Sequence, residues 1–269
     1  MKFILFILAL LSSPLMLVAQ SAEEILNQTE TAYRNLRNYV DQGTLAPANN
    51  SSPVPIETTT YSIAMDRKGN VSYKLIKTLA GRTSGAIFEK TAKDSLGVYT
   101  RLGREDAPFA CKIEEAHPRL MGTGGSMFYL VGSMFYEPTS WQGQKAPSFI
   151  RNFDTIKRLD DTTINGAICF VIKTRKTSMI TEEMASRVNF QRDSMRGLLD
   201  LPIEQRGGLR SEAGPNISEK KYYIRQADHM VVGMDSYHFP DESGPPKFKT
   251  SIALAPLYNV KHFDKYLKE

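Results

Sequence analysis

The chain contains little cysteine and little histidine, the residue types that most often build metal and redox sites. It has two cysteines and four histidines: Cys111, Cys169, His117, His229, His238 and His262. The cysteines do not form a CxxC pair, which argues against a thioredoxin-like redox centre or a zinc ribbon. No two histidines stand in an HxH, HExxH or i, i+4 arrangement. The spacing therefore predicts no metal site, and we expect no cofactor.

Motifs of the common enzyme classes are also missing. There is no P-loop and no GxGxxG after a strand-like run. The string nearest to a nucleophile elbow, GGSMF at 124–128, lacks the second glycine that the sharp strand-to-helix turn requires. Asp160 and Asp161 fall with Asn165 and Gly166 in a predicted turn region between two strands. Local backbone hydrogen bonds explain the two aspartates better than a catalytic carboxylate pair does. We predict that the protein is not an enzyme; a hydrolase that uses Ser126 or His117 is a weaker alternative.

The chain has no large excess of one charge. It carries 34 basic and 29 acidic residues, a formal net charge of +5. The basic residues are dispersed, and no run of lysine and arginine is interleaved with aromatic residues, so nucleic-acid binding has little support. A weak, peripheral contact with anionic membrane surfaces stays open.

Residues 1–19 have the three-part pattern of a secretory signal: a basic start at Lys2, an apolar run over 3–11, and a small residue before the cleavage point. A membrane-spanning anchor is the alternative, but serine and proline at 12–14 end the run well short of the about 20 residues needed to cross a bilayer. No cysteine follows the cleavage region, so a lipid-anchored N-terminus is not supported. We expect an exported, periplasmic chain in which 20–269 form a single domain.

Export would expose both cysteines to oxidising conditions, so a disulfide between Cys111 and Cys169 is permitted. A disulfide requires Cα atoms within about 7 Å, which a sequence cannot establish. The alternative is a pair of buried thiols, because free cysteine is commonly buried.

The coarse pattern is one helix followed by many strands. Residues 21–39 have helical apolar spacing, with Ser21 as the cap and acidic residues in the first turn. Runs rich in Thr, Tyr, Val and Ile follow, separated by turn residues. The predicted strands are 39–45, 57–66, 71–79, 85–91, 96–102, 153–159, 167–174, 221–226, 229–239 and 248–254. This order predicts an α+β fold with an antiparallel sheet rather than alternating βαβ units.

A helical insertion at about 179–217 separates two of the later strands. Thr181 is its predicted cap, followed by Glu182 and Glu183 in the first turn. One side of this helix is apolar, with Met184, Val188, Met195 and Leu199. The other side carries arginines, which we interpret as a solvated face.

After the predicted signal, the longest uncharged segment lies between Arg119 and Glu137. It is too short and too rich in glycine to span a membrane. If the part after Gly125 is helical, its apolar side chains recur at three- and four-residue intervals on one side. Methionine and aromatic side chains adapt to irregular apolar shapes, and glycine lets the backbone hinge, so the segment is a candidate wall or cover of an apolar cavity.

The candidate ligand-binding residues in and beside this segment are Met121, Met127, Phe128, Leu130, Val131, Met134, Phe135 and Trp141. The alternative for all of them is packing in the core under the sheet. On spacing alone this alternative is favoured, because apolar stripes at helical spacing are usually core.

Several short motifs, in their order along the chain, carry a resemblance to a known family. They are AEEIL at 22–26 with Tyr33, Leu36 and Tyr39, GTL at 43–45, INGAICF at 164–170 and YYIRQAD at 222–228. Together they resemble the LolA-like periplasmic lipoprotein-carrier, or outer-membrane lipoprotein-sorting, family. The likeness covers most of 20–269 as an order of elements, and its individual motifs are loose.

The resemblance implies a strongly curved antiparallel sheet, an incomplete β-barrel, with helices covering its open concave side over an apolar cavity for acyl chains. No position here matches the basic residue that latches the lid in the carriers, and the insertion departs from their compact pattern. We therefore expect a non-enzymatic binding protein for a lipid or an acylated protein, with lipoprotein carriage as one form of it. The alternative within the same fold is an envelope sensor or scaffold that contacts a protein partner through the insertion.

Overall fold

The structure is a computed structural model that describes eleven stretches of the chain. These are residues 20–47, 58–79, 82–103, 107–113, 115–116, 126–136, 149–151, 153–197, 213–239, 244–246 and 248–267. The predicted signal at 1–19 lies outside them, as do Met121 and Trp141.

Three α-helices and twelve strands make up the described fold. The helices are α1 (Ala22–Arg34), α2 (Ser126–Phe135) and α3 (Glu182–Gly197), with 3-10 turns at Phe149–Arg151 and Phe263–Leu267. The first six strands are β1 (Asn38–Pro47), β2 (Thr58–Asp66), β3 (Val71–Leu79), β4 (Arg82–Lys90), β5 (Gly97–Leu102) and β6 (Phe109–Cys111). The others are β7 (Thr155–Ile164), β8 (Ala167–Ile180), β9 (Gly214–Arg225), β10 (Val231–Phe239), β11 (Phe248–Ala253) and β12 (Leu257–Tyr258).

All the strands belong to one antiparallel sheet with the order β6-β5-β4-β3-β2-β1-β11-β10-β9-β8-β7, and β12 pairs with β1. Neighbours in this order are also neighbours in sequence, except where β1 meets β11 and joins the two halves of the sheet. Strands β6 and β7 stand at the two ends and do not pair with each other among the described residues. The sheet is therefore open, and the predicted α+β fold with an incomplete barrel is confirmed.

The sheet curves around α1 and α2. One core cluster contains Tyr33 of α1, Val131 of α2, Tyr73 of β3 and Ile172 of β8. Strands β3 and β8 lie in opposite halves of the sheet, so both halves direct alternate side chains toward the same two helices. These helices cover the concave face, as expected from the resemblance. On the other face, Val40 and Ala64 pack under Phe263 of the C-terminal 3-10 turn.

Helix α1 begins where the sequence predicts and ends earlier. The Ser21 hydroxyl accepts from the Glu24 N–H at 3.2 Å, and the Glu24 carboxylate accepts from the Ser21 N–H at 2.7 Å, which forms a capping box. The helix stops at Arg34, and Tyr39 already pairs with Met65 in the sheet. The predicted helical range 21–39 was too long because cross-strand pairing takes over its last residues.

Asp160 and Asp161 lie within β7 rather than in the predicted turn. The register of β7 against β8 shifts between Leu159 and Thr162, so the two aspartates occupy a β-bulge. The turn itself is Asn165 and Gly166, both at positive φ of 49° and 80°. Two successive left-handed residues of this type form the favoured two-residue hairpin turn.

Helix α3 forms between β8 and β9, as predicted. These strands extend farther than expected, because Ile180 of β8 pairs with Gly214 of β9. The ends of the 179–217 segment are therefore strand, and the helix rises from the end of a long hairpin. In the described part of the chain, no helix is both long enough and apolar enough to span a membrane.

Candidate functional site

The part of the uncharged segment that follows Gly125 forms helix α2, on the concave face. Its described side chains Leu130, Val131, Met134 and Phe135 are at most 1% exposed and belong to the main core cluster. Met127 and Phe128 lie in the helix, but their side chains are outside the described part. This burial agrees with the core-packing alternative, and a role in ligand binding stays a prediction for the whole set.

Two contacts from outside α2 fix its surroundings. The Tyr136 hydroxyl, directly after the helix, donates to the carbonyl oxygen of Asp66 at 3.1 Å. Arg151, in the 3-10 turn that contacts α2, forms ion pairs of 2.8 Å with Glu30 and with Glu23 of α1. These contacts hold α2 against both the β2–β3 turn and α1.

An apolar row crosses the concave face in the second half of the sheet. Directly paired positions place Ile172 beside Tyr222, Tyr222 beside Met234, Met234 beside Ile252, and Ile252 beside Leu45. All five side chains lie in or against the main core cluster. We call this set the apolar row; it is a continuous hydrocarbon surface beneath the helices.

A buried carboxyl group lies in the concave floor at Asp41. The residue is 1% exposed, and its carboxylate accepts from the Tyr39 hydroxyl at 2.9 Å and from the Ala255 N–H at 3.0 Å. Burial raises the pKa of Asp41 to about 6, although these hydrogen bonds act in the opposite direction. Sequence reasoning missed this group, but the signal was present: Asp41 is in the same alternation phase as Tyr39.

A polar row follows the apolar row toward one end of the strands. Lys220 pairs with Thr174 on one side and with Ser236 on the other, and Ser236 pairs with Thr250. Lys176 lies two residues after Thr174 on β8, where it pairs with Ser218 of β9. We call Thr174, Lys176 and Lys220 the basic rim. Alternation was the sequence signal here too, since Lys220 is in phase with the buried Tyr222.

The described histidine, cysteine and acidic side chains do not assemble a metal-binding group. No cluster of three or more His, Cys, Asp or Glu that could hold a metal ion occurs in the described part of the chain. His229 stacks on Phe170 with ring centroids 5.9 Å apart, and burial lowers the pKa of this histidine. The alternative hydrolase residues, the Ser126 side chain and His117, lie outside the described part.

Cys111 and Cys169 are free thiols, and both are buried. They lie on β6 and β8, near opposite ends of the strand order. This agrees with the alternative of two buried thiols and not with a disulfide.

Comparison with known proteins gives only weak likenesses. No protein-family model and no curated protein matches the chain. LprF from Mycobacterium bovis aligns at a TM-score of 0.41 and 12% identity, covering 89% of this chain and 93% of that one. The lipoprotein LppX from Mycobacterium tuberculosis aligns at 0.38 and 13%, covering 88% and 94%. A LolA superfamily protein from Nitrosomonas europaea aligns at 0.30 and 8%, covering 93% and 99%. At these values the likeness does not establish a shared function.

Proposed function

We propose that the protein is an exported, periplasmic, non-enzymatic binding protein, a distant LolA-like member, that holds a lipid or an acylated partner against its concave face. Lipoprotein carriage is one form of this function. The ligand would lie between the apolar row and helix α2, where the candidate residues Val131 and Met134 are buried.

The observation that carries the proposal is the combination of an open sheet with an uncharged cover helix. A surface helix normally has one apolar side and one charged side. Helix α2 has no charged residue in any position, so no side of it requires water. Such a helix can exchange contacts with the sheet for contacts with hydrocarbon at little cost, because both environments are apolar.

The energy of binding would come from the removal of acyl chain from water. Each buried CH₂ contributes about 0.8 kcal/mol, so a chain of about ten methylenes supplies up to about 8 kcal/mol before the cost of ordering it. Micromolar affinity requires about 8 kcal/mol net, so a chain longer than about ten methylenes, or contacts of the head group, would have to offset the ordering cost.

The first test is native mass spectrometry of the full chain purified from its own host, followed by lipid extraction. We expect a bound lipid or acylated molecule, and saturable binding of a fluorescent fatty acid by the delipidated protein. Absence of both would contradict the proposal.

A matched pair of variants then locates the site. Val131→Phe adds the same volume to the concave face that Val40→Phe adds to the opposite face, and both valines are buried. We expect Val131→Phe to weaken fatty-acid binding and Val40→Phe to leave it unchanged, with both melting temperatures recorded. Equal affinities for the two variants would place the ligand elsewhere.

One observation favours a second function, contact with an envelope protein through α3. Phe190 is 73% exposed and Met184 is 54% exposed on this helix. Both side chains are available to a protein partner, and contiguous exposed apolar surface marks such contact sites. Replacing both with serine should reduce the recovery of a cross-linked partner from the native envelope while fatty-acid binding is retained; an unchanged set of partners would exclude this role.

A further inference from the structure

We propose that the ligand is an anionic amphiphile whose acidic head group binds at the basic rim, beside Lys220 and Lys176. Its hydrocarbon chain would lie on the neighbouring apolar row. This inference rests on the proposed function and adds the chemical class of the ligand and the position of its charged end.

The placement of Lys220 is fixed by the alternation of β9. Tyr222 and Ile224 belong to the core cluster on the concave face, and Lys220 is in phase with them. Its ammonium nitrogen lies 5.8 Å from the centroid of the Phe153 ring, which itself packs against the core and lies 6.4 Å from the Tyr222 ring. Lys221, the next residue, lies on the other face over the Tyr237 ring at 5.4 Å.

The charge of this part of the concave face has one sign. Lys176 is in phase with the buried Ile172 and Thr174, so it stands on the same face as Lys220. The described acidic residues of β8 to β11 are Glu219 and Asp235, and both are in the opposite phase. Glu219 pairs with Lys173 at 2.7 Å, and Asp235 accepts from Ser251 at 2.6 Å. The concave positions of these strands are therefore basic or uncharged, which favours an anion.

Two buried hydroxyl groups beside Lys220 add hydrogen-bonding capacity. Thr174 and Tyr222 are 0% exposed, and among the described residues their hydroxyl groups have no hydrogen-bond partner other than a weak contact with each other. They lie close enough to each other that Thr174 acts on the pKa of Tyr222, against the larger effect of burial, which raises it. Buried polar groups are nearly always satisfied, so a head-group oxygen beside these two hydroxyls would complete their hydrogen bonding.

The environment of Lys220 also favours an anionic neighbour. Burial, with the positive charge of Lys176, lowers the pKa of Lys220 to about 7. An anion placed between the two lysines would offset both effects, since it replaces lost hydration and screens one ammonium group from the other. His238, two positions beyond Ser236 on β10, is the next titratable group on this face.

The basic rim and the apolar row are adjacent, as the head group and the first methylenes of an amphiphile are. Positions i and i+2 of a strand are about 6.6 Å apart, so the apolar row begins one such step from Lys220. A carboxylate or phosphate group held by Lys220 would place the first methylenes of its chain directly over Tyr222 and Met234, beneath the helices. A neutral lipid of equal length would bury the same hydrocarbon without the contact to lysine.

The test compares dodecanoic acid with dodecanol, which share a chain and differ in the head group, by displacement of a neutral fluorescent probe. Dodecyl phosphate serves as a second acidic ligand, and butyrate and inorganic phosphate serve as head groups without a long chain. The variants are Lys220→Gln on the concave face and Lys221→Gln on the opposite face of the same strand.

We expect the acid to bind the unmodified protein more tightly than the alcohol. Lys220→Gln should weaken binding of the acid about 10- to 100-fold, the range for a hydrogen bond to a charged group, and leave the alcohol unchanged. Lys221→Gln should alter neither. The short anions should not compete, because most of the binding energy comes from the chain.

Any other result contradicts either the head-group site or the proposed function. Equal binding of acid and alcohol, or equal effects of the two glutamine substitutions, would refute the basic rim as the head-group site while leaving a neutral lipid ligand intact. Competition by butyrate or phosphate alone would indicate a small-anion site. Failure of both long-chain ligands to bind would refute the proposed function itself.

Discussion

The guanidinium carbon of Arg67 lies 4.2 Å from the centroid of the Phe135 ring. The same guanidinium group donates to the carbonyl oxygens of Leu36 and Tyr33, each at 3.0 Å. Arg67 belongs to the β2–β3 turn, the two carbonyls lie at the carboxyl end of α1, and Phe135 is the last residue of α2. One side chain therefore joins the sheet to both helices that cover its concave face.

Arg67→Ala should lower the free energy of unfolding by about 1–3 kcal/mol, because it removes a cation–π contact and charge-assisted hydrogen bonds at a helix end. Arg67→Lys should recover only part of this, since lysine cannot donate through a planar fork. Urea unfolding measures both, with Arg37→Ala as an exposed arginine control close to α1. If Arg67→Ala loses no more unfolding free energy than the control, the contacts of the Arg67 guanidinium group contribute nothing to stability.

The features that sequence predicted correctly are local ones. The alternation of Val71, Tyr73 and Leu75 specifies a strand with one buried face, and these side chains are buried. The Asn165-Gly166 pair specifies a tight hairpin, because both residues tolerate the left-handed backbone that such a turn needs. The capping box of Ser21 and Glu24 likewise fixes the start of α1 through two residues three positions apart.

The features that the sequence did not predict depend on residues far apart along the chain. Strand β1 pairs with β11, and nothing in either strand specifies the other. Tyr39 fits a helical stripe locally, but its pairing with Met65 decides its conformation. Lys220 and Asp41 stood in core-facing phases of their strands, and alternation would have located both if charged residues had been counted among core positions.

The stability of the protein should depend on the ionisation of Asp41. Burial raises the pKa of this carboxyl group from 3.8 to about 6, so the folded state binds the proton more tightly than the unfolded chain does. The stabilisation is therefore fully present below about pH 3.8 and is lost as the pH rises through about 6. The difference in pKa corresponds to about 3 kcal/mol.

Asp41→Asn isolates this effect, because the amide oxygen can still accept from the Ala255 N–H but carries no charge. Relative to Asp41→Asn, the unmodified protein should lose about 2 to 2.5 kcal/mol of unfolding free energy between pH 4 and pH 7. Tyr39→Phe, which removes a hydrogen bond to the carboxylate, should enlarge the change. Parallel stability curves would mean that Asp41 does not titrate in this range.

Both cysteines should be free and protected in the folded protein. Unfolding in iodoacetamide without a reductant should add two alkyl groups to the intact mass, because Cys111 and Cys169 are both thiols. The folded protein should react slowly, since both residues are buried and burial raises the pKa of the Cys169 thiol, which reduces its reactive thiolate fraction. Alkylation that requires prior reduction would establish the disulfide instead.

Arg151 should be a strong stabilising contact between α1 and the turn that supports α2. It donates to Glu30 at 2.8 Å, to Glu23 at 2.8 Å and to Asn27 at 2.5 Å, three residues spaced along α1. Glu30 is buried, so its carboxylate depends on this partner more than an exposed one would. Arg151→Met should cost about 3 kcal/mol, mainly because it leaves a buried negative charge without its closest cation.

A double-mutant cycle separates the ion pair from the loss of packing. Combining Arg151→Met with Glu30→Gln removes both charges, so the double variant should be more stable than the sum of the single changes predicts, by at least about 1 kcal/mol. Arg187→Met, on the exposed side of α3, is the control for the arginine-to-methionine change and should be nearly neutral. Strict additivity of the two substitutions would show that Arg151 contributes packing alone, and that the α1 carboxylates are satisfied by water.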